Sequence, residues 1–347
     1  LPVAFEEMHL DKETYGTYAT KMRPAKLEEN DKMTHKIIID CDPGIDDAMA
    51  LIYAVASEEI EILAVHTVAG NVNVDHTTNN AQGVLAFLNR YDIPICRGSN
   101  MPLVVEPSFA DDIHGANGMS GYEFDSFAPL SEKTALESYV DILRNTKEKV
   151  IIAAVGPLTN IAILLKAYPE LTDKIEKIII MGGGLKGGNI TTTGEFNFYV
   201  DPHAAHVVIK SGLPVVLAGL DVTEVARLYK EDLEEIASYD ERIGQLMLTI
   251  NETSMSIYNS LGFGMSCTPN DVVPLVHLLH PEIFETEDLK IDVSYDSYET
   301  RGMTYVDARI RAPQEPNVQM IMGVDLARFR AEFKETVITY IQNTNNR

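Results

Sequence analysis

Between Lys36 and Ala218, short unbroken runs of Ile, Val and Ala alternate with longer amphipathic stretches, and no other feature restricts the fold so tightly. The runs occupy residues 36–40, 61–66, 93–96, 150–155, 175–181 and 214–218. The stretches between them, 46–56, 76–89, 133–145, 158–166 and 202–210, read as helices. A strand wetted on one face alternates apolar with polar residues, whereas one covered on both faces is apolar throughout. KIIID at 36–40 and VIIAAV at 150–155 are of the covered kind. Such strands separated by helices predict an α/β fold, a single domain with a mainly parallel, helix-covered open sheet. At 347 residues the chain is long for one domain but ordinary for this class. A helical covering segment is expected at about residues 232–268, and a helix from residue 325 closes the chain. Residues 33–347 make up the domain. Residues 1–32, charged and without an apolar signal-peptide core, read as an extension of unknown role, with Met33 suited to an internal start.

Composition removes several function classes. The chain has 28 Lys and Arg against 52 Asp and Glu, a formal charge of −24. Such a surface repels phosphate backbones and anionic headgroups, so neither nucleic acid nor a membrane is an expected partner. No apolar run reaches the roughly 18 residues of a spanning helix. Cys41, Cys96 and Cys267 are odd in number, widely spaced and without a CxxC, which predicts reduced thiols and a cytoplasmic location.

The acidic, amide and glycine clusters fall just after strand ends, at 42–47, 70–73, 156–160, 182–197 and Asp221. In a parallel sheet those ends share one edge, where open α/β folds place their ligand crevice, so the active site is expected at the C-terminal strand ends. The densest cluster is Asp40-Cys41-Asp42-Pro43-Gly44-Ile45-Asp46-Asp47, four carboxylates in eight residues between a buried strand and a helix. Pro-Gly turns the chain, and Asp46 and Asp47 enter the cap and first turn of the helix, where its dipole favours negative charge. So many like charges call for a cation. A carboxylate-only set points to Ca²⁺ or Mg²⁺. It is not an EF-hand, because the sixth and twelfth loop positions are Ile45 and Leu51.

With these residues in view, the chain resembles the nucleoside hydrolases, specifically the Ca²⁺-dependent, inosine-uridine preferring kind, which cleave the N-glycosidic bond of ribonucleosides. The resemblance covers roughly residues 35–330. It rests on DCDPGIDDAMAL (40–51), TVAGNV (67–72), HGANG (114–118), AVGPLTN (154–160), MGGGLKGGN (181–189), EFNFYVDPHAA (195–205), GLDVT (219–223) and Asn270-Asp271. It implies a Ca²⁺ held by Asp42, Asp47, the main-chain carbonyl of Val155, and Asp271. Asp42 would also be the general base toward the water on that ion. Asp46, Asn71, Asn197 and Asp271 would hold the ribose 2′- and 3′-hydroxyls, Asn189 and Glu195 the 5′-hydroxyl. Met181 would pack beneath the sugar, Phe196 would join the substrate-binding set, and His114 would close over the site. Nucleoside salvage is the implied role, in a homodimer or homotetramer.

One position departs from the family pattern. Many relatives carry a histidine before the last metal-binding aspartate, where it assists the leaving base. This chain has Asn270 on that leaving-group side, and an amide cannot act as a general acid near neutral pH but can donate a hydrogen bond to the base. Tyr258 stands where relatives place a tyrosine near the base. His203 and His206, three apart on a helix, read as surface or capping residues and not as a metal pair. His66 and Cys41 read as packing residues. Two other functions share some features. An aspartyl phosphotransferase would use Asp40 as nucleophile and Asp42 as acid but needs a lysine, for which Lys186 is the nearby candidate. A non-catalytic ribose- or nucleoside-binding module would keep the fold without turnover. A dinucleotide role for the glycines at 182–188 is weak, because a loop follows them and not a helix.

Overall fold

The computed structural model describes residues 34–307, 309 and 315–345; the extension expected at 1–32, and Met33, lie outside the described residues. The first half runs β1 (His35–Cys41), α1 (Ile45–Ala56), β2 (Ile60–Thr67), α2 (Val74–Phe87), β3 (Ile95–Arg97), α3 (Asp111–His114), α4 (Ala135–Asn145), β4 (Val150–Ala154), α5 (Thr159–Ala167) and β5 (Ile175–Met181). It continues through α6 (Phe196–Val200), α7 (Pro202–Ile209), β6 (Val215–Ala218), α8 (Leu220–Thr223), β7 (Leu228–Tyr229), α9 (Lys230–Tyr239), α10 (Glu241–Ser260), β8 (Ser266–Cys267) and α11 (Val272–Leu279). β9 (Phe284–Leu289), β10 (Ile291–Val293), β11 (Thr304–Val306), β12 (Val318–Val324) and α12 (Leu326–Asn345) complete it.

An eight-stranded sheet has the order β3-β2-β1-β4-β5-β6-β12-β9. Every pair in it is parallel except β12 with β9. The six strands expected from the apolar runs are its first six. Two short antiparallel pairs, β10 with β11 and β7 with β8, lie outside it.

Successive side chains of a strand point to opposite faces, so β1 feeds two cores. Ile37, Ile39 and Cys41 pack with α1, α11 and α12 on one face. Ile38 packs with Tyr139 and Leu143 of α4, Ile161 of α5 and Val208 of α7 on the other. All three isoleucines are fully buried, each stabilising the fold by about 1.5–3 kcal/mol through removal of its side chain from water. Cys41 is buried among apolar neighbours, as a packing residue should be.

The strand order reverses direction between β1 and β4. β2 and β3 extend the sheet on one side of β1, while β5 and β6 extend it on the other side of β4. Connections therefore diverge at that point and leave a crevice beyond the carboxyl ends of the two strands. The loops following β1 and β4 start with Asp42 and Val155.

Candidate active site

Asp42 leaves β1 at the crevice, and α1 begins three residues later. Asp47 is fully buried. Its Oδ1 accepts the Asp42 N–H at 3.0 Å, and its Oδ2 accepts the Gly44 N–H at 2.9 Å and the Asn71 side-chain amide at 3.1 Å. Asp42 is buried too, its Oδ2 accepting the Asn71 backbone N–H at 2.6 Å. Glycine is required on both sides of it: a Cβ at Gly70 would stand 2.0 Å from Asp42 Oδ2, and one at Gly156 would stand 2.4 Å from Oδ1. Asp271, buried at the start of α11, arrives from far along the chain.

Asp46, Asp47 and Asp271 each place a carboxylate oxygen within 4.8 Å of the others. The resemblance implies Asp42 in such a set; here Asp46 completes the trio, and the Asp42 carboxylate is held by the Asn71 N–H. The Val155 carbonyl lies at the same strand-end edge and accepts the Asn197 side-chain amide at 3.0 Å.

The electrostatics are those of an acid cage. Burial, then the charge of Asp47, raises Asp42 well above the usual carboxylate range. Asp47 is pushed up to about 7 by burial and then by Asp46. Asp271 is raised well above that range by burial and by Asp46, Asp47 and Asp42 in turn. Carboxyls that repel one another out of ionisation at neutral pH are stable as anions only beside a positive charge. An all-oxygen donor set fits a hard divalent cation.

A second group of side chains adjoins the cage. Asn197 donates to the Met181 carbonyl at 3.2 Å as well as to Val155, which fixes its amide at the ends of β4 and β5. Glu195 caps α6: its carboxylate accepts the N–H groups of Gly183 at 2.7 Å, Asn197 at 2.9 Å and Phe198 at 3.1 Å. Burial nevertheless pushes it up to about 7. Asn189 is exposed, and its Oδ1 accepts the Phe196 N–H at 2.9 Å. Met181 is buried at the end of β5, and Phe196 is half-buried. Asn71 is held on the cage itself by its bonds to Asp42 and Asp47.

The mouth of the site is less buried. His114 is half-buried, and its Nδ1 accepts the Ile45 N–H at 3.3 Å, so the HGANG loop reaches the start of α1. The Asn270 side-chain amide donates to Asp46 Oδ2 at 3.1 Å. The Tyr258 hydroxyl lies 3.2 Å from Thr268 Oγ1.

Other singled-out residues fall elsewhere. His66 is fully buried, with Nε2 2.9 Å from Ser138 Oγ and its ring edge-on to Tyr139. His206 pairs with Asp292 at 3.0 Å, and both His203 and His206 pack on Tyr295. Asp40 is closed to any substrate: it is buried under the Tyr139 hydroxyl at 2.9 Å and the Asn160 amide at 3.1 Å, which disfavours a phosphotransferase nucleophile. Sequence places Gly70, Gly156 and Asn160 in strand-end clusters without saying that the glycines flank Asp42 or that Asn160 clasps Asp40. Their signal lay inside the TVAGNV and AVGPLTN segments, but only the fold shows what they touch.

Fold and site together define an open α/β protein with a buried acid cluster at the carboxyl ends of its central strands. Residues 37–331 match the family model described as inosine-uridine preferring nucleoside hydrolase. The chain is 41% identical over 300 residues to a pyrimidine-specific ribonucleoside hydrolase RihA of Salmonella schwarzengrund, covering 86% of this chain and 96% of the relative. It is equally identical to a RihA of Shewanella baltica, with 86% and 94% covered. Among solved structures, a purine-preferring ribonucleoside hydrolase from Gardnerella vaginalis superposes with a TM-score of 0.82 at 27% identity, covering 89% of this chain and 99% of that one. The plant nucleoside hydrolase PpNRh1 gives 0.80 at 27% identity, with 87% and 98% covered. The chain belongs to the inosine-uridine preferring nucleoside hydrolase family, and its reaction is cleavage of a nucleoside to the sugar and the free base.

Proposed function

We propose that this chain hydrolyses ribonucleosides to ribose and nucleobase around a Ca²⁺ ion, with Asp42 as general base and pyrimidine nucleosides as preferred substrates. The observation that carries the metal is the gathering of Asp46, Asp47 and Asp271 beside the buried Asp42, where burial first and neighbouring carboxylates second raise Asp42, Asp47 and Asp271 above the usual carboxylate range. A bound Ca²⁺ would neutralise them and hold the attacking water. Asp47 and Asp271 would hold the ion together with Asp42 and the Val155 carbonyl. Ca²⁺ acidifies water only weakly, so Asp42 must take the proton as the water attacks C1′.

The remaining groups bind and orient the sugar. Asp46, Asn71, Asn197 and Asp271 would take the 2′- and 3′-hydroxyls, and Asn189 and Glu195 the 5′-hydroxyl, above Met181 and Phe196. Positive charge grows on the ribose as the C1′–N bond breaks, and carboxylates fixed in place favour it without reorganising. Gripping the hydroxyls lets binding energy remote from C1′ drive the ring toward its reactive shape. His114, seated against the start of α1, would close the mouth.

The preference for pyrimidines rests on the names of the relatives at 41% identity. A salvage role in a reducing cytoplasm is consistent with three free, buried cysteines. The resemblance supports a homodimer or homotetramer, which light scattering checks. The test of function is a panel of natural nucleosides assayed for reducing sugar, with and without chelator. Uridine and cytidine should release ribose, and chelator should abolish it; binding without turnover over hours would leave a non-catalytic nucleoside-binding module.

A further inference from the structure

Arg301 stands in the turn between β10 and β11, half-buried, and among the described residues its hydrogen bonds go to main-chain carbonyls. Nε donates to the Tyr199 carbonyl at 2.7 Å, and Nη2 donates to those of Val200 at 3.2 Å and Glu106 at 3.3 Å. The guanidinium carbon sits 4.2 Å from the centre of the Tyr199 ring. The turn presses on the same segment. Gly194 bridges Met303, and a Cβ on Gly302, whose φ is +75°, would stand 2.6 Å from the Tyr199 nitrogen.

Tyr199 and Val200 are the last residues of α6, a helix of five residues. A helix that short does not stand alone, and its final carbonyls have no partner within it. Glu195 closes its N-terminus and Arg301 its C-terminus, where a cation also complements the helix dipole. Both groups assigned to the 5′-hydroxyl depend on this helix. Glu195 is its cap, and Asn189 accepts the Phe196 N–H that opens it. Asn197 differs, because the Val155 and Met181 carbonyls pin its amide to the strand ends. Glu106, the third acceptor, lies in the loop between β3 and α3. That loop is anchored further by the Leu103 N–H on Asp201 Oδ2 at 2.8 Å and the Ala110 N–H on the Asn71 carbonyl at 2.9 Å.

We propose that Arg301 is a positioning residue for the grip on the 5′-hydroxyl. It seats α6 and ties that helix to the loop leading to His114, so that Glu195 and Asn189 meet the 5′ end of the sugar in a fixed geometry. This inference rests on the nucleoside hydrolase reading above. Arg301 acts through the main chain and not by contact with the substrate. Without it α6 loosens and the 5′ end is released, while Asn197, Asn71 and the cage keep the 2′- and 3′-hydroxyls. Binding energy at the 5′ end drives the reaction at C1′, so its loss lowers kcat as well as raising KM.

The experiment compares uridine with 5′-deoxyuridine, which lacks only the hydroxyl in question. Wild-type protein should favour uridine by at least about 100-fold in kcat/KM, because a site built to hold a hydroxyl rejects an analogue without it. In Arg301→Ala, kcat/KM for uridine should fall about 100-fold while 5′-deoxyuridine stays within about 3-fold of wild type, so the preference collapses. In Arg301→Lys, which keeps the charge but not the planar fork, uridine should lose about 10-fold and the analogue should again be spared. Should Arg301→Ala not fold, the Lys variant carries the comparison alone. A purely structural arginine would lower both substrates in the same proportion. That result, or no loss on uridine, overturns the role of Arg301 and leaves the enzyme reading standing. A wild-type protein that cleaves both substrates equally well overturns the 5′ grip and this inference with it, but not the hydrolysis. One that cleaves neither overturns the nucleoside hydrolase reading itself.

Discussion

Asp42 and its two glycines concentrate the chemistry into a few atoms. Asp42→Ala would remove the proposed metal ligand and the proposed base together, so kcat should fall by several orders of magnitude; retention of more than about a tenth of the wild-type rate would show that the base lies elsewhere. Gly70→Ala asks the same question by geometry. A methyl 2.0 Å from Asp42 Oδ2 and 2.8 Å from the Pro157 ring must displace the carboxylate. We expect kcat to drop at least about tenfold with uridine while the protein stays folded by circular dichroism. An unchanged kcat would separate Asp42 placement from turnover. The acids were legible in sequence because four of them share eight residues, a density that few roles other than cation binding require. The Asn160 amide that clasps Asp40 was not, because the two lie 120 positions apart and only the fold brings them together.

The segment expected to be helical at about 232–268 is two helices, α9 and α10, followed by the short strand β8, and the break between the helices has a definite cause. Asp240 ends α9, and its Oδ1 accepts the Ile243 N–H at 3.1 Å, which starts α10. Asp240→Ala should cost about 1 kcal/mol in chemical denaturation through loss of that cap, and a change below about 0.3 kcal/mol would mean solvent replaces it fully. The six apolar strands were legible because burial on both faces leaves an unbroken Ile/Val run. β9 was not, since FETEDL at the sheet edge is mostly exposed and carries no such signature. β12, VQMIMGV, mixes Gln, Met and Gly into a buried strand that parallels β6, and so escaped the same pattern.

At the scale of the molecule, buried carboxyls and buried histidines make stability depend on pH. His277 is buried in α11 against Phe284, and burial, assisted by Lys177, lowers it to about 4. In the unfolded chain it titrates near 6.5, so between about 6.5 and 4 the unfolded state binds a proton that the native state refuses. The native state therefore loses stability as pH falls through that window. Replacing the group by His277→Leu should remove this dependence: the wild-type-minus-variant stability should be lower at pH 5 than at pH 8 by roughly 1–2 kcal/mol. Equal differences at the two pH values would mean that the native imidazole is as easily protonated as in the unfolded chain.

Calorimetric titration of chelator-treated protein with Ca²⁺ probes the cage most directly. One ion per chain should bind, with a matching rise in Tm and with both lost in Asp271→Asn. A flat titration, or undiminished binding in that variant, would contradict a structure organised around a cation at the ends of β1 and β4.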